Sequence, residues 1–417
     1  VNVELVTVGT ELLLGFTVDT NGAEFGRACA AAGIRLVRRT AVPDEPEAIR
    51  AGVAEALDRT GIVITTGGLG PTRDDATKTA VAALFGRPLV LDPGVLASLE
   101  ERFRRMGRWP MAASNRTQAE VPAGATVLPN PRGTAPGLWI EDAAGRVAIL
   151  LPGVPREMRG LLHEQVLPRL ARRVPGEPRI VRSRAVRTTG MAESAIADQV
   201  GPIEPDLAPL TLAYLPSVDG VDLRLTAWDL AADEAEDRLA AGASRLRDTV
   251  GGACYGEDDA DLAAVVLDLL RARAATLAVA ESCTGGLLGA RITAVPGAST
   301  VFLGGEVAYA DAVKTARLGV PAALIGAHGA VSEQVAQAMA AGARAAFGAA
   351  GALGVTGVAG PTGGTPDKPV GTVWLAAAWG DTLRAVRVIF GGERDEIRAR
   401  AAQGALNLLR RVITGAS

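Results

Sequence analysis

Over the first 170 residues, two hydrophobic periods alternate along the chain. Short β-branched runs at Val3–Val8, Ile34–Ala41, Ile62–Thr66 and Val147–Leu151 read as strands. Between them, Asn21–Ala32, Pro46–Asp58, Ala76–Phe85 and Pro93–Met106 carry helical spacing, and a further helix opens at Val154. This alternation predicts a three-layer α/β domain with a largely parallel sheet, whose ligands sit outside the carboxyl ends of its strands. From about 172 the pattern changes. Arg-Arg-Val-Pro-Gly-Glu-Pro at 172–178 reads as a linker, followed by strands Ile180–Thr188 and Val221–Trp228 and helices Glu193–Val200 and Ala232–Val250. A small α+β module fits that stretch. The last part predicts a helix at Leu262–Arg273, a buried strand at Thr276–Ala280 and a helix from Leu287. Next come a strand at Glu306–Ala310, a helix capped by Ser332 that runs to Phe347, and a strand at Ala352–Val358. A hairpin about Gly380-Asp381 and a helix over Glu393–Val412 close the chain. The expected domains are 1–171, 172–252 and 253–417.

Composition narrows the chemistry. A 417-residue chain that is 48% hydrophobic and 21% charged is globular, with room for two or three cores. It has no apolar run long enough for a membrane span. The first residues enter a strand pattern without a basic, then apolar, leader, so a cytoplasmic location is expected. Three scattered cysteines suit a reducing compartment, and two histidines leave no basis for a histidine-rich zinc site. A net charge of −3 gives no reason to expect direct nucleic-acid binding. Of 43 basic residues only Lys78, Lys314 and Lys368 are lysine. Arginine cannot act as a base, whereas a buried lysine can give up its proton.

Polar residues gather at the expected strand ends. In the first domain these are Gly9-Thr10-Glu11, Asp44, the stretch Gly67-Gly68-Leu69-Gly70-Pro71-Thr72-Arg73-Asp74-Asp75-Ala76-Thr77-Lys78, and Gly133-Thr134 within Asn130–Gly137. Glycines let a phosphate approach the backbone, and neighbouring carboxylates can hold a hard cation. Gly67, Gly68, Gly70, Thr72, Lys78, Gly133 and Thr134 are the candidate substrate contacts, although Asp74-Asp75 alone reads equally well as a helix cap. In the last domain, Glu281-Ser282-Cys283-Thr284-Gly285-Gly286 joins a strand to a helix, and Gly357–Gly364 follows another strand. Ser282 is a candidate nucleophile or an N-cap, and Cys283 is its rival. With no natural histidine partner, Lys314 is the expected base, with Tyr309 as a relay or orienting hydroxyl. The N–H groups of Thr284 and Gly285 are the expected oxyanion donors. Gly286, Gly357, Gly360, Thr362, Gly363 and Gly364 complete the candidate substrate contacts.

The ordered motifs GTELLLG, DTN, VPDE, TGGLGPTRDDATK, NPRGTAPG and LPGVPREM resemble the N-terminal domain of the CinA family, which is similar to the molybdopterin-binding MoaB/MogA fold. That resemblance implies hydrolysis of ADP-ribose to AMP and ribose 5-phosphate. It points to Asp44 and Asp75 as paired acids, and to a divalent cation such as Mg held by Asp75, Asp74 and Glu11. AESCTGG, VAYADAVK, HGAVSE and GVTGVAGPTGGTPDKPVGTVW resemble the family's C-terminal PncC-type domain. This implies cofactor-free deamidation of nicotinamide mononucleotide, with Ser282 as nucleophile and Tyr309 and Lys314 as partners. The middle module resembles the family's KH-like domain but lacks the GXXG clamp of RNA-binding KH domains, so a spacer or dimerisation role is expected. A homodimer is expected. The family's name also supports a rival of another class, a non-catalytic accessory to DNA uptake acting through a partner such as a recombinase.

Overall fold

The computed structural model describes residues 1–173 and 179–415. Apart from Arg172 and Arg173, the expected linker lies outside the described residues. The chain divides into two compact units, Val1–Arg182 with Trp228–Glu236, and Ser183–Ala227 with Asp237–Ser417.

The first sheet contains β1 (Asn2–Val8), β2 (Arg35–Val42) and β3 (Ile62–Thr66). After β4 (Leu89–Leu91) and β5 (Glu120–Pro122), which pair only with each other, it adds β6 (Thr126–Leu128), β7 (Gly137–Glu141) and β8 (Val147–Leu151). The order is β2-β1-β3-β8-β7-β6, parallel from β2 to β8 and antiparallel beyond. Alternate residues of the central strands feed two cores. Val3, Leu5, Ile64 and Ile149 pack with Phe25 and Met158, while Val6, Val8, Val63 and Leu150 pack with Ile49, Val53 and Val81. Helices on both faces are what a buried parallel sheet requires, so the three-layer α/β expectation is met. The sequence pattern missed β4, β5, β6 and β7. These are three- to five-residue segments among prolines and glycines, too short for a period of two to register.

The middle sheet has β9 (Ile180–Thr188), β10 (Thr211–Pro216), β11 (Val221–Leu230) and β12 (Cys254–Glu257) in the order β10-β11-β9-β12. β10 was not anticipated, and β12 belongs to this sheet although it lies past the expected boundary at 252/253.

The last sheet has β13 (Leu277–Glu281), β14 (Phe302–Val307), β15 (Gly351–Gly357), β16 (Thr372–Trp379) and β17 (Thr382–Ile389), in the order β14-β13-β15-β16-β17. β13 runs parallel to both neighbours, and β15, β16 and β17 are antiparallel. Leu277, Val279, Leu353 and Val355 pack against helices Leu262–Arg271 and Arg394–Thr414. Ala278, Ala280 and Ala352 pack against helix Glu333–Phe347, which Ser332 caps as expected. β14 begins at Phe302 rather than at Glu306, because Gly304-Gly305 dilute its apolar pattern. Chain order reverses at β13, so its carboxyl end opens onto the crevice between the exits of β14 and β15.

Candidate active sites

Ser282 stands at that crevice, directly after β13. It is held there by its own N–H bonding Val355 O at 2.9 Å, and Glu281 O accepts from Ala308 N at 2.8 Å. The side chain is 8% exposed, and its Oγ makes no hydrogen bond among the described residues. Tyr309 and Lys314 follow Ala308 at the neighbouring strand exit. Lys314 is only 1% exposed, and its Nζ donates to Tyr309 O at 3.1 Å and to Asp311 Oδ1 at 3.3 Å. The buried ammonium is therefore anchored to the backbone of the segment tied to Glu281 O. Its present bonds run to that segment and not to Ser282 Oγ. Tyr309 is 59% exposed, and its hydroxyl accepts from Arg394 Nη2 at 2.9 Å. The expected Tyr309 hydroxyl relay to Lys314 is thus not present here. The lysine uses the tyrosine's carbonyl instead.

Two arginines that no sequence motif singled out tie the crevice together. Arg394 also donates to Gly360 O, so it joins the β14 and β15 exits. One turn later Arg398 donates twice to Thr284 O, at 3.3 and 3.0 Å. Both stand on the first two turns of helix Arg394–Thr414 and bring fixed positive charge to the strand ends. Three or four residues apart on one helical face is the spacing that could have flagged them.

Glu281 was also missed. Buried at the end of β13, its carboxylate accepts the N–H groups of Gly286 and Leu288 at 2.9 and 3.0 Å and of Gly289 at 2.8 Å. It therefore takes up the donors that a helix start would otherwise offer to a ligand. The Gly285 N–H bonds Ser282 O at 3.1 Å. Gly285 and Gly286 consequently do not present the expected oxyanion or phosphate donors, and Thr284 N–H is what remains of the expected pair. Thr284 Oγ1 is buried with no partner among the described residues. In the β15 exit loop, Gly357 abuts the sheet: a Cβ there would lie 2.7 Å from Thr372 O, so close packing explains this glycine. Thr362, Gly363 and Gly364 stay exposed at the loop tip beyond Gly360.

Cys283 packs into the hydrophobic core and is 5% exposed. Burial pushes its thiol up to about 12. A thiol held that high stays protonated near neutral pH, which disfavours Cys283 as the nucleophile. Iodoacetamide at pH 8 should neither label Cys283, as followed by mass spectrometry, nor inactivate the protein. Rapid inactivation with Cys283 labelled would return the thiol to the mechanism. Neither histidine partners Ser282: His163 pairs with Glu24 at 3.2 Å, and His328 offers its carbonyl to Lys368 Nζ at 3.0 Å.

In the first unit, the exits of β1, β2, β3 and β8 carry the predicted polar residues. Gly67 has φ of +110°, and a Cβ there would meet Val8 O at 2.2 Å, so only glycine lets the β3 exit pass this close to β1. Asn21 donates to Thr66 Oγ1 at 3.2 Å and to Gly153 O at 2.7 Å, pinning two exits together. Its Oδ1 and the buried Thr77 Oγ1 have no partner among the described residues. Asp44 Oδ2 accepts from Thr10 N at 2.8 Å. Asp75 folds back onto its own loop, accepting from Gly70 N at 2.7 Å, Thr72 N at 2.9 Å and the Thr72 hydroxyl. Asp74 stands exposed on the same loop, and its backbone carbonyl accepts from Ala76 N at 2.8 Å. Glu11 curls over Gly9, where a Cβ would meet its Oε1 at 2.6 Å.

Among the described residues no three His, Cys, Asp or Glu side chains gather in a way that could hold a metal ion. Glu11, Asp74 and Asp75 therefore do not form the expected cation cage, because Asp75 serves the loop backbone. Lys78 points its Nζ at Thr117 O, and burial pushes its amine down against the pull of Glu120 and Asp75. Gly133 and Thr134 line a separate cavity of about 940 Å³ with Asp92 and Arg102, which no residue of the Gly67–Lys78 loop lines. Asp75→Ala is expected to cost about 1 kcal/mol in urea unfolding of the first unit, since the half-buried Gly70 N–H loses its carboxylate partner while the exposed Thr72 donors turn to water. Asp74→Ala should leave the unfolding curve unchanged, and equal curves for wild type and Asp75→Ala would remove this structural role.

Comparison with known proteins places these sites in a family. Three family models match in succession: "Probable molybdopterin binding domain" over residues 4–172, "Damage-inducible protein CinA KH domain" over 183–256, and "CinA C-terminal domain" over 259–413. A CinA-like protein of Gemmatimonas aurantiaca is 56% identical over 98% of this chain and 96% of its own. One of Gloeobacter violaceus is 44% identical over 98% of this chain and 96% of its own. A crystal structure of the protein CinA from Thermoplasma acidophilum matches 39% of this chain and 94% of its own, with 36% identity and a TM-score of 0.37. No described helix is long and apolar enough to cross a membrane. The chain belongs to the CinA-like family, with a MoaB/MogA-like domain, a CinA KH domain and a CinA C-terminal domain in that order.

Proposed function

We propose that the C-terminal domain hydrolyses nicotinamide mononucleotide to nicotinate mononucleotide and ammonia through an acyl-Ser282 intermediate. The observation that carries this reading is the almost wholly buried Lys314, anchored at the strand exit next to the one that bears Ser282. Ser282 Oγ attacks the carboxamide carbon and its proton passes to a neutral Lys314 Nζ. Thr284 N–H stands beside the developing oxyanion. Collapse breaks the C–N bond, and Lys314 returns the proton to the leaving nitrogen, which departs as ammonia. Water then attacks the acyl carbon, Lys314 takes its proton and restores the Ser282 hydroxyl, and nicotinate mononucleotide leaves. The partly exposed Asp311, 3.3 Å from Nζ, is an outlet for the proton that must leave the ammonium first. Arg394 and Arg398 supply charge complementary to the substrate phosphate.

For the N-terminal domain we propose binding of a nucleotide pyrophosphate such as ADP-ribose, with hydrolysis to AMP and ribose 5-phosphate. The support is a set of four strand exits that converge on a glycine-lined loop, with Asn21 Oδ1 and Thr77 Oγ1 unpartnered and Lys78 partly desolvated. A divalent cation would arrive with the phosphates and neutralise their charge, as Mg²⁺ needs only one or two protein carboxylates. Purified full-length protein is to be incubated with nicotinamide mononucleotide and assayed for ammonia, and separately with ADP-ribose and a divalent salt and assayed for AMP. Absence of ammonia overturns the amidase reading. Absence of AMP with retained ADP-ribose binding reduces the first domain to a nucleotide-binding module.

A further inference from the structure

We propose that a cavity of about 650 Å³ in the second unit is a separate binding site for a phosphate-bearing molecule of mononucleotide size. Its walls are the loops Thr189–Glu193 and Pro216–Val221 of the middle domain, and strand β17 with the segment after it. Its floor is the stretch from Arg400 to Arg411 of helix Arg394–Thr414. None of Ser282, Tyr309, Lys314 or Gly357–Gly364 lines it, so the cavity is distinct from the amidase crevice.

The charge around it is unbalanced. Arg384, Arg400 and Arg411 all line the cavity, and none is paired with a carboxylate among the described residues. Of the two acidic residues in the walls, Asp219 is already engaged by Arg291 at 3.0 Å, and Glu193 lies exposed at the rim. Buried polar atoms add to this. Asn407 is 7% exposed and its Oδ1 is taken by Arg410 at 3.1 and 2.9 Å, whereas its Nδ2 donates to nothing among the described residues. The loop above leaves that amide uncovered because residue 190 is glycine: with φ of +80°, a Cβ there would sit 2.8 Å from Nδ2. Gln403, 2% exposed, donates to Asp219 O at 3.0 Å while its Oε1 stays buried without a partner, as does Arg411 Nε. Unsatisfied buried groups in one wall call for a partner from outside the chain.

Together these groups specify the ligand class. Three guanidinium groups and an amide N–H want a multiply charged acceptor, for which phosphate is the natural match. Gln403 Oε1 wants a donor such as a ribose hydroxyl or a base N–H. Val386, Val388 and Phe390 provide an apolar wall for a flat ring. The volume lies in the range of small-ligand sites and is larger than a bare phosphate requires. This inference does not rest on the amidase chemistry, and either can fail alone.

The test is calorimetric titration of full-length protein with AMP, and separately with inorganic phosphate, at matched ionic strength. Wild type is compared with Arg400→Gln/Arg411→Gln and with Val218→Trp, which narrows the mouth and keeps every arginine. Sites elsewhere contribute equally to all three proteins, so the difference isolates this cavity. Both variants are expected to lose one AMP-binding event or weaken it by on the order of tenfold or more, with unchanged circular dichroism. AMP bound more tightly than phosphate identifies a nucleotide site; equal affinities identify an anion site that reads phosphate alone. Superimposable AMP and phosphate isotherms for wild type and both variants would overturn the proposal.

Discussion

Ser282→Ala is expected to abolish ammonia release from nicotinamide mononucleotide, lowering kcat by roughly 10⁴- to 10⁶-fold, while AMP production from ADP-ribose stays at the wild-type rate. The change deletes one oxygen whose side chain holds nothing together, since Ser282 Oγ has no hydrogen bond among the described residues and the residue's position is set by its N–H. Stability should therefore move by less than about 1 kcal/mol. A drop in rate without a drop in stability assigns the hydroxyl to chemistry. The intermediate can be checked independently, because hydroxylamine should divert wild-type acyl-enzyme to the hydroxamate and find none in the variant. If Ser282→Ala keeps a tenth of the wild-type rate, Lys314 is activating water directly and the acyl-serine step is wrong.

Lys314→Met should reduce kcat by roughly 10²- to 10⁴-fold, the usual reach of a general base. Methionine approximates the lysine stem without its charge. Replacing a buried ion with an apolar side chain of similar volume is commonly neutral or stabilising. The remaining Asp311 carboxylate is more than half exposed and stays hydrated. The melting temperature should accordingly not fall. Lys314→Arg gives the sharper comparison. Arginine keeps the charge but does not give up its proton, so it should be as inactive as methionine. Recovery of activity in Lys314→Arg would make residue 314 a fixed cation, and the base would have to be sought elsewhere.

Much of this architecture was legible along the chain. The strands Ile62–Thr66, Val147–Leu151 and Ile180–Thr188 fall where their apolar runs end, and so does the capping of Glu333–Phe347 by Ser332. Those features depend on neighbours within a few residues, and local pattern reports them well. The short strands between Leu89 and Glu141 were not legible, because three to five residues among prolines and glycines leave no periodic signature. The site divides the same way. Ser282, Tyr309 and Lys314 were singled out as candidates through residue type and motif, whereas Arg394 and Arg398, 80 or more residues further on, were not. Nothing near Arg394 in sequence says that its guanidinium will reach both Tyr309 and Gly360.

By itself, then, the sequence determined the alternation of strand and helix, the placing of polar residues at strand ends and the scarcity of lysine that drew attention to position 314. Tertiary structure alone decided how each group is used. Burial set the Cys283 thiol in the core and pushed its titration up, although it neighbours a candidate nucleophile. Glu281 filled the helix start that would have been free for an anion, and Asp75 turned to its own loop instead of toward a cation. In each case the physical reason is the same. Whether a carboxylate, thiol or amide N–H is available depends on which donors, acceptors and apolar walls the fold brings around it, and most of those come from distant parts of the chain.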